Sequence, residues 1–388
     1  MLETGFNLTR VAIALAAFAL ASCGSGNPAA TATDEPPPPA TPTLAPPSPP
    51  PGPAPVAVIT GVKFNESSHR RLAEGSDNWP ATWSDDDQQY AIWGDGGGFG
   101  GSDNDGRASF GIGRIEGDHL SYRGVNRYGG KNGECPSKID GKSHGAPISI
   151  AGVLYAWVTP GSDEEGYRQF SLYKSLDKGC TWSQCNVAFV RADDGISYGS
   201  FVQAGKDNAA ARDAYVYTVA TVVTNAASLK IVQRPGNVAL LRVPSATIED
   251  RGTYEFFAGM DSTGQPIWSV KASDRAPIYH DAAGVGPFPQ MSFVPGLDRW
   301  VYTNEHGDGD GIDARASRLT VAEAPAPWGP FNVVFKDVFF PTLERRVFQW
   351  NFAPKWFRDG GRGFTLIFSG DGGNDSWNTI DGEFIVQP

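Results

Sequence analysis

Short apolar runs separated by polar turns recur along the chain from about residue 57 to its end. Each unit pairs a short strand with a longer one rich in aromatic or β-branched residues, as strands buried on both faces require. The first unit runs Pro80 to Ser84, turns over Asp85 to Gln88, and continues Tyr90 to Trp93. The second runs Ala146 to Ile150, turns at Ala151-Gly152, and continues Leu154 to Val158. The third is Gly199 to Val202 followed by Tyr215 to Val219, and the fourth is Met291 to Val294 followed by Trp300 to Tyr302. The fifth is Asn351 to Phe357, with Phe364 to Phe368 after a turn at Arg358 to Gly363. Second strands therefore start near 90, 154, 215, 300 and 364, at spacings of 64, 61, 85 and 64 residues. Each interval has room for two more strands, such as Ala108 to Gly113 or Asn237 to Leu241. No long segment shows helical periodicity. Five four-stranded units repeated radially predict an all-β fold, a five-bladed β-propeller over residues 57–388.

The first 56 residues read differently. Arg10 precedes an apolar run from Val11 to Ala21 that is too short to span a bilayer and suits a secretory leader. It ends Leu20-Ala21-Ser22-Cys23-Gly24, which resembles a bacterial lipoprotein signal. Residues 1–22 are then a signal peptide and Cys23 a lipidated N-terminus, anchoring the protein to a membrane without embedding it. Residues 23–56 carry 13 of the 30 prolines among Ala and Thr, a composition for an extended tether and not for a core. The expected location is the cell envelope, facing the periplasm or the exterior.

Composition narrows the function classes. Gly 47 and Pro 30 fit a turn-rich β domain, while 11 Trp and 12% aromatic residues exclude a disordered one. A net charge of −11 leaves no electrostatic footprint for nucleic acid. Cys135, Cys180 and Cys185 allow one disulfide and one free thiol, with the pairing open. Ser175-Leu-Asp-Lys-Gly-Cys-Thr-Trp182 matches the Asp-box pattern of sialidase-type propellers, a structural hairpin between the third and fourth strands of a blade, on the face away from the active site.

Propeller geometry sorts the acidic residues. Groups just before a first strand or just after a second strand share the channel mouth, whereas Asp85, Asp86 and Asp87 lie in a turn at the opposite end and read as turn formers. The mouth set comprises Asp77, Lys142, His144, Tyr198, Gln290 and Trp350 before first strands, and Asp95, Glu305 and Asp371 after second strands. Paired carboxyls in unlike environments suit general acid–base cleavage of a glycosidic bond. Lys142, His144, Tyr198, Gln290, Trp350 and Asp371 are then substrate-binding candidates, the aromatic ones stacking on sugar rings. Gly96 to Gly101 matches GxGxxG, but no helix follows, so it reads as a flexible loop at the mouth and not a dinucleotide site. Asp103/Asp105 and Asp308/Asp310/Asp313 could offer oxygens to structural calcium, but neither cluster has the EF-hand spacing. No cofactor and no catalytic metal are expected.

Asp77-Asn78-Trp79, Tyr90 to Gly96, Gly141-Lys142-Ser143, Gln203 to Lys206, Leu241 to Pro244, Tyr254 to Gly259 and Phe368-Ser-Gly370 follow one another in order. Together they resemble a secreted bacterial five-bladed propeller family long catalogued as of unknown function, across residues 65–388. Some members are endo-D-arabinofuranosidases that cut arabinan. The resemblance implies a furanosidase-like glycoside hydrolase acting on an extracellular polysaccharide, and the chain is expected to be a monomer. At His144 the chain departs from the Tyr or Trp the resemblance leads one to expect. Asp77 resembles in position the base of other five-bladed furanosidases, which makes Glu305 the general acid and Asp95 the residue that orients the sugar or sets a partner's pKa. That assignment implies inversion, with Asp371 able to replace either acid. The alternatives are a non-catalytic carbohydrate-binding propeller and a polysaccharide lyase, the latter using His144 or Tyr198 as base. If Cys23 carries the lipid, Cys23→Ser releases the protein from the membrane fraction or blocks its processing; unchanged fractionation would refute the anchor.

Overall fold

A computed structural model describes residues 57–135, 139–160, 167–224, 232–306, 317–339, 347–370 and 375–387. The leader, Cys23, the tether, Asp308, Asp310, Asp313 and Asp371 lie outside the described residues. Five antiparallel sheets form the blades of a propeller. Blade I consists of Ala81–Trp83, Gln89–Trp93, Gly111–Glu116 and Arg123–Tyr128, from the axis outward. Blade II consists of Ile148–Ile150, Val153–Pro160, Gln169–Ser175 and Ser183–Val190. Blade III begins Ile196–Phe201, Tyr215–Val222, Gly236–Pro244 and Glu255–Met260, and blade IV is Gln290–Val294, Arg299–Glu305, Arg318–Ala324 and Asn332–Val338. Second strands start at Gln89, Val153, Tyr215, Arg299 and Gly363, each within one residue of the position the sequence pattern predicts. The long third interval holds an added edge strand, Pro266–Ser269, and a short strand, Tyr279–Asp281, that returns to pair with Gly236–Val238.

Blade V is built from both ends of the domain. Val347–Phe352, Gly363–Gly370 and Trp377–Gln387 form its inner three strands, and Val58–Leu72 from the start of the domain is its outermost. That fourth strand pairs antiparallel with Trp377–Gln387 from Val58↔Gln387 to Leu72↔Trp377, which closes the ring and covers the edge of the last sheet.

The core lies between blades. In blade I, Tyr90 and Ile92 face blade II, where Leu154, Ala156 and Val158 meet them, while Ala91 and Trp93 face Ile367 and Trp377 of blade V. Side chains alternate across a strand, so burial on both faces yields an apolar run without a polar interval. The innermost strands are joined through polar groups. Asn351 bonds the backbone at Trp79 and Ala81, the Ser149 N–H donates to Thr82 Oγ1 at 3.1 Å, the Ala146 N–H donates to Ser200 Oγ at 2.9 Å, and Ser200 Oγ donates to Gln290 Oε1 at 2.7 Å. Thr303 donates to the Trp350 carbonyl across the remaining seam. These bonds satisfy buried polar groups that would otherwise each cost about 1–3 kcal/mol.

The hairpin at residues 175–182 is held by its own side chains. Asp177 Oδ1 accepts from Ser175 Oγ and from the Thr181 N–H, both at 2.8 Å, and Gly179 takes φ +87°. Its Lys178 pairs with Asp85, Asp86 accepts from the Tyr90 hydroxyl at 2.7 Å, and Asp87 pairs with Lys355 at 3.1 Å. The three acids of the 85–87 turn are therefore structural clasps.

Cys135 and Cys180 form a disulfide that joins blade I to this hairpin across 45 residues, and Cys185 is a buried free thiol. Peptide mapping without reductant should recover Cys135 and Cys180 linked. Cys135→Ala should lower unfolding stability by about 2–4 kcal/mol, because the open chain regains loop entropy in the unfolded state.

Candidate active site

In every blade the innermost strand starts, and the second strand finishes, at the same end of the ring. Two independent features mark that end. It gathers the carboxyls Asp77, Asp95 and Glu305, and it carries non-glycine residues in the left-handed region at equivalent places in three blades: Asn78 at φ +59°, Tyr198 at +55° and Gln349 at +52°. Each such conformation costs on the order of 1–3 kcal/mol and concentrates where a ligand is handled.

Asp77 and Asp95 meet through an antiparallel bridge, the Asp77 N–H donating to the Asp95 carbonyl at 3.3 Å and the Gly94 N–H to the Asp77 carbonyl at 2.8 Å. Asp95 is held at both oxygens, by Lys142 Nζ at 2.7 Å on Oδ2 and by Arg107 at 3.1 Å on Oδ1. Asp77 is in a different environment. As a residue it is half-buried, yet its Oδ1 is shut off from solvent with no hydrogen-bond partner among the described residues. Burial, with the nearby Asp375 and Asp95 charges, pushes its carboxyl up to about 8, against the opposing pull of Lys142 and the Asn78 amide. A carboxyl raised in this way holds its proton near neutrality and can donate it, whereas from the sequence Asp77 is expected to act as general base.

Glu305 ends the second strand of blade IV and is 1% exposed. Asn304 secures its backbone: Asn304 Oδ1 accepts from the Glu305 N–H at 2.7 Å, while Nδ2 donates to the Tyr302 hydroxyl at 2.8 Å and to the Gly286 carbonyl at 3.3 Å. The Gly286 N–H in turn donates to the Glu305 carbonyl at 2.9 Å. His306 follows, its Nδ1 3.1 Å from Thr320 Oγ1 on the next strand of the blade.

The other candidates divide between mouth and interior. Tyr198 and His144 form one wall together with Tyr167 and Phe288. The His144 ring stacks on Phe288 at 5.2 Å and meets Tyr167 and Tyr198 edge-on at 5.2 and 5.6 Å. Lys142, a substrate-binding candidate, donates from Nζ to Asp95 Oδ2 at 2.7 Å and so orients that carboxylate. Gln290 is 2% exposed and bonded to Ser200 and to the His144 carbonyl, which Gln349 also reaches, so it plugs the axis. Trp350 is corrected outright. Its ring is 1% exposed, packed edge-on to Phe339 in the seam between blades IV and V, and offers no face to a sugar.

The glycine loop is also firmer than expected. Asn126 accepts from the Phe99 N–H at 2.8 Å and donates to the carbonyls of Gly97, Phe99 and Lys131. Phe99 packs on Trp79 and Trp377. Asp103 and Asp105 pair with Arg107 and Lys131, and among the described residues no group of three or more His, Cys, Asp and Glu could hold a metal ion.

Sequence reasoning missed Arg107, Asp375, Tyr167 and Phe288. Asp375 lies four residues after Asp371 in the sequence, beyond a second strand, so its end of the ring was legible. Tyr167 and Phe288 lie in loops whose paths no periodicity reveals.

The Asp77 carboxyl gives a pH signature. Its folded value near 8 lies above the unfolded value near 3.8, so the folded state binds the extra proton between them and loses stability as pH rises through that window. Asp77→Asn should therefore stabilise the protein increasingly between pH 4 and about 8 and by a constant amount above that. Chemical denaturation of both proteins at several pH values measures the difference, and a pH-independent difference would refute the raised value.

No family model matches the chain, and no curated protein matches it in a sequence comparison. Solved structures with a similar fold include an alpha-L-arabinofuranosidase from Podospora anserina in complex with cellotriose, at 8% identity and TM-score 0.46 over 84% of this chain and 95% of that one. They also include a GH43_1 enzyme from Xanthomonas citri complexed with xylotriose, at 12% identity and TM-score 0.48 over 83% and 93%. An alpha-L-arabinanase from Penicillium chrysogenum complexed with arabinobiose is similar at 12% identity and TM-score 0.42 over 85% and 99%. The likeness is one of chain path and does not extend to residue roles.

Proposed function

We propose that the protein is a glycoside hydrolase that cleaves a polysaccharide outside the cytoplasm, the substrate being of the arabinan type that the sequence resemblance implies. The observation that carries this reading is the pair of unlike carboxyls at the mouth: Asp77, its Oδ1 shut off from solvent and its carboxyl pushed up to about 8, beside Asp95, tied to Lys142 and Arg107. Unequal environments of this kind separate a proton donor from a charged partner.

In the proposed reaction Asp77 gives its proton to the glycosidic oxygen as the bond from that oxygen to the anomeric carbon breaks. A water molecule forms the new bond to that carbon from the opposite side and passes its proton to Glu305. The anomeric configuration inverts. Asp95 and Asp375 raise the proton affinity of Asp77, while the buried cluster of Tyr167, Tyr198, His144 and Phe288 backs the site as a rigid apolar wall. The chain works as a monomer without a cofactor, lifted from a membrane by the lipid on Cys23 and the proline-rich tether.

The test is release of reducing ends from a panel of arabinans and xylans. Asp77→Asn and Glu305→Gln should each lower turnover by about 10²-fold or more, with folding retained, while Asp86→Asn leaves it near wild type. Activity should fall as pH rises through about 8, where Asp77 loses its proton. Binding of polysaccharide without any reducing-end release would favour a non-catalytic module, and an unsaturated product absorbing in the ultraviolet would favour a lyase.

A further inference from the structure

A four-residue strap crosses the mouth between blades III and IV. Val285 pairs with Gln233 in both directions, at 2.8 and 3.1 Å. Thr221 Oγ1, on the second strand of blade III, lies 3.3 Å from the carbonyls of both Gly286 and Pro287. The Gly286 carbonyl also accepts from Asn304, and its N–H donates to the Glu305 carbonyl. Phe288 then stacks on His144 from blade II. The strap thus fixes the Glu305 backbone at one end and the aromatic wall at the other.

Gly286 is a glycine for reasons of space. Its φ lies outside the left-handed region, so its backbone would accept any residue. A Cβ at this position, however, would stand 2.6 Å from Glu305 Cβ and 2.6 Å from Glu305 Oε2. Contacts that short do not occur between real atoms, so the strap and the end of the Glu305 strand would have to separate, with the carboxyl moving as well. Rotation about the Glu305 side-chain torsions can relieve the contact with Oε2 but not the one with Cβ, which the backbone fixes, so the carboxyl is displaced either way.

We propose that Gly286 is a positioning residue for Glu305: the strap sets where the Glu305 carboxyl lies, and the missing side chain at 286 is what leaves it room. The consequence for turnover rests on the reading of Glu305 as a reacting carboxyl; the consequence for its placement does not.

The Glu305 carboxyl can be followed directly, as the infrared carboxyl band present in wild type and absent from Glu305→Gln, titrated against pH. In Gly286→Ala, checked for folding by circular dichroism, the midpoint of that band should move by on the order of half a pH unit or more, because a displaced carboxyl meets a different environment. An unmoved midpoint in folded Gly286→Ala overturns the proposal. Should Gly286→Ala fail to fold, Thr221→Val decides instead. It removes the hydroxyl contacts to the strap while adding no atom near Glu305, so a moved midpoint supports the strap's control and an unmoved one overturns it. On arabinan, Gly286→Ala should lower kcat by about tenfold or more with KM within about twofold, the pattern of a misplaced reacting group. If wild type releases no reducing ends while the midpoint still moves, the hydrolase reading fails and the positioning role stands.

Discussion

The structure depends on closing a ring of sheets that are buried on both faces. No blade is stable alone, because Tyr90, Ile92 and their equivalents on one face and Ala91, Trp93 and theirs on the other each need a neighbouring sheet. A linear stack would leave two apolar faces in water. The antiparallel pairing of Val58–Leu72 with Trp377–Gln387 removes that problem by making the last blade from both ends of the domain. Opening the ring would cost that strand's backbone bonds and expose the faces it brings together, so closure couples all five blades into one cooperative unit.

Closure also forces the innermost strands together at the axis, and the sequence meets that crowding with short polar side chains. Thr82, Ser149, Ser200, Gln290 and Asn351 tie neighbouring strands, so the axis is a hydrogen-bonded plug. A rigid plug explains how Asn78, Tyr198 and Gln349 can be held in left-handed conformations at one end of the ring. The interior over-determines the strand ends, and the strained residues and the carboxyls occupy the same rim.

At that rim, the carboxyls differ in their charged partners. Asp77 lies near the charges of Asp95 and Asp375, and Lys142 and Arg107 pair with Asp95. With the cations on Asp95, burial and the neighbouring negative charges raise the proton affinity of Asp77. Glu305 is fixed separately, through Asn304 and the strap.

The strand pattern determined the fold. Five apolar pairs at near-constant spacing can be buried on both faces only in a repeating ring, so blade number and second-strand starts were legible to within a residue. Strand polarity was legible too, which placed Asp77, Asp95, Glu305 and Tyr198 at one end and assigned the Asp85–Asp87 turn to the other. Tertiary structure alone decided what each side chain does there. Trp350 stands one residue after Gln349 at the start of an inner strand, and the register shift between Phe348 and Asn351 turns its ring into the core. Lys142 and Arg107 met Asp95 because loops distant in sequence converge on it. The proton affinity of Asp77 and the strap over Glu305 arise likewise from contacts between blades. Periodicity records which face of a strand is buried, but it carries no information about which loops meet above the ring.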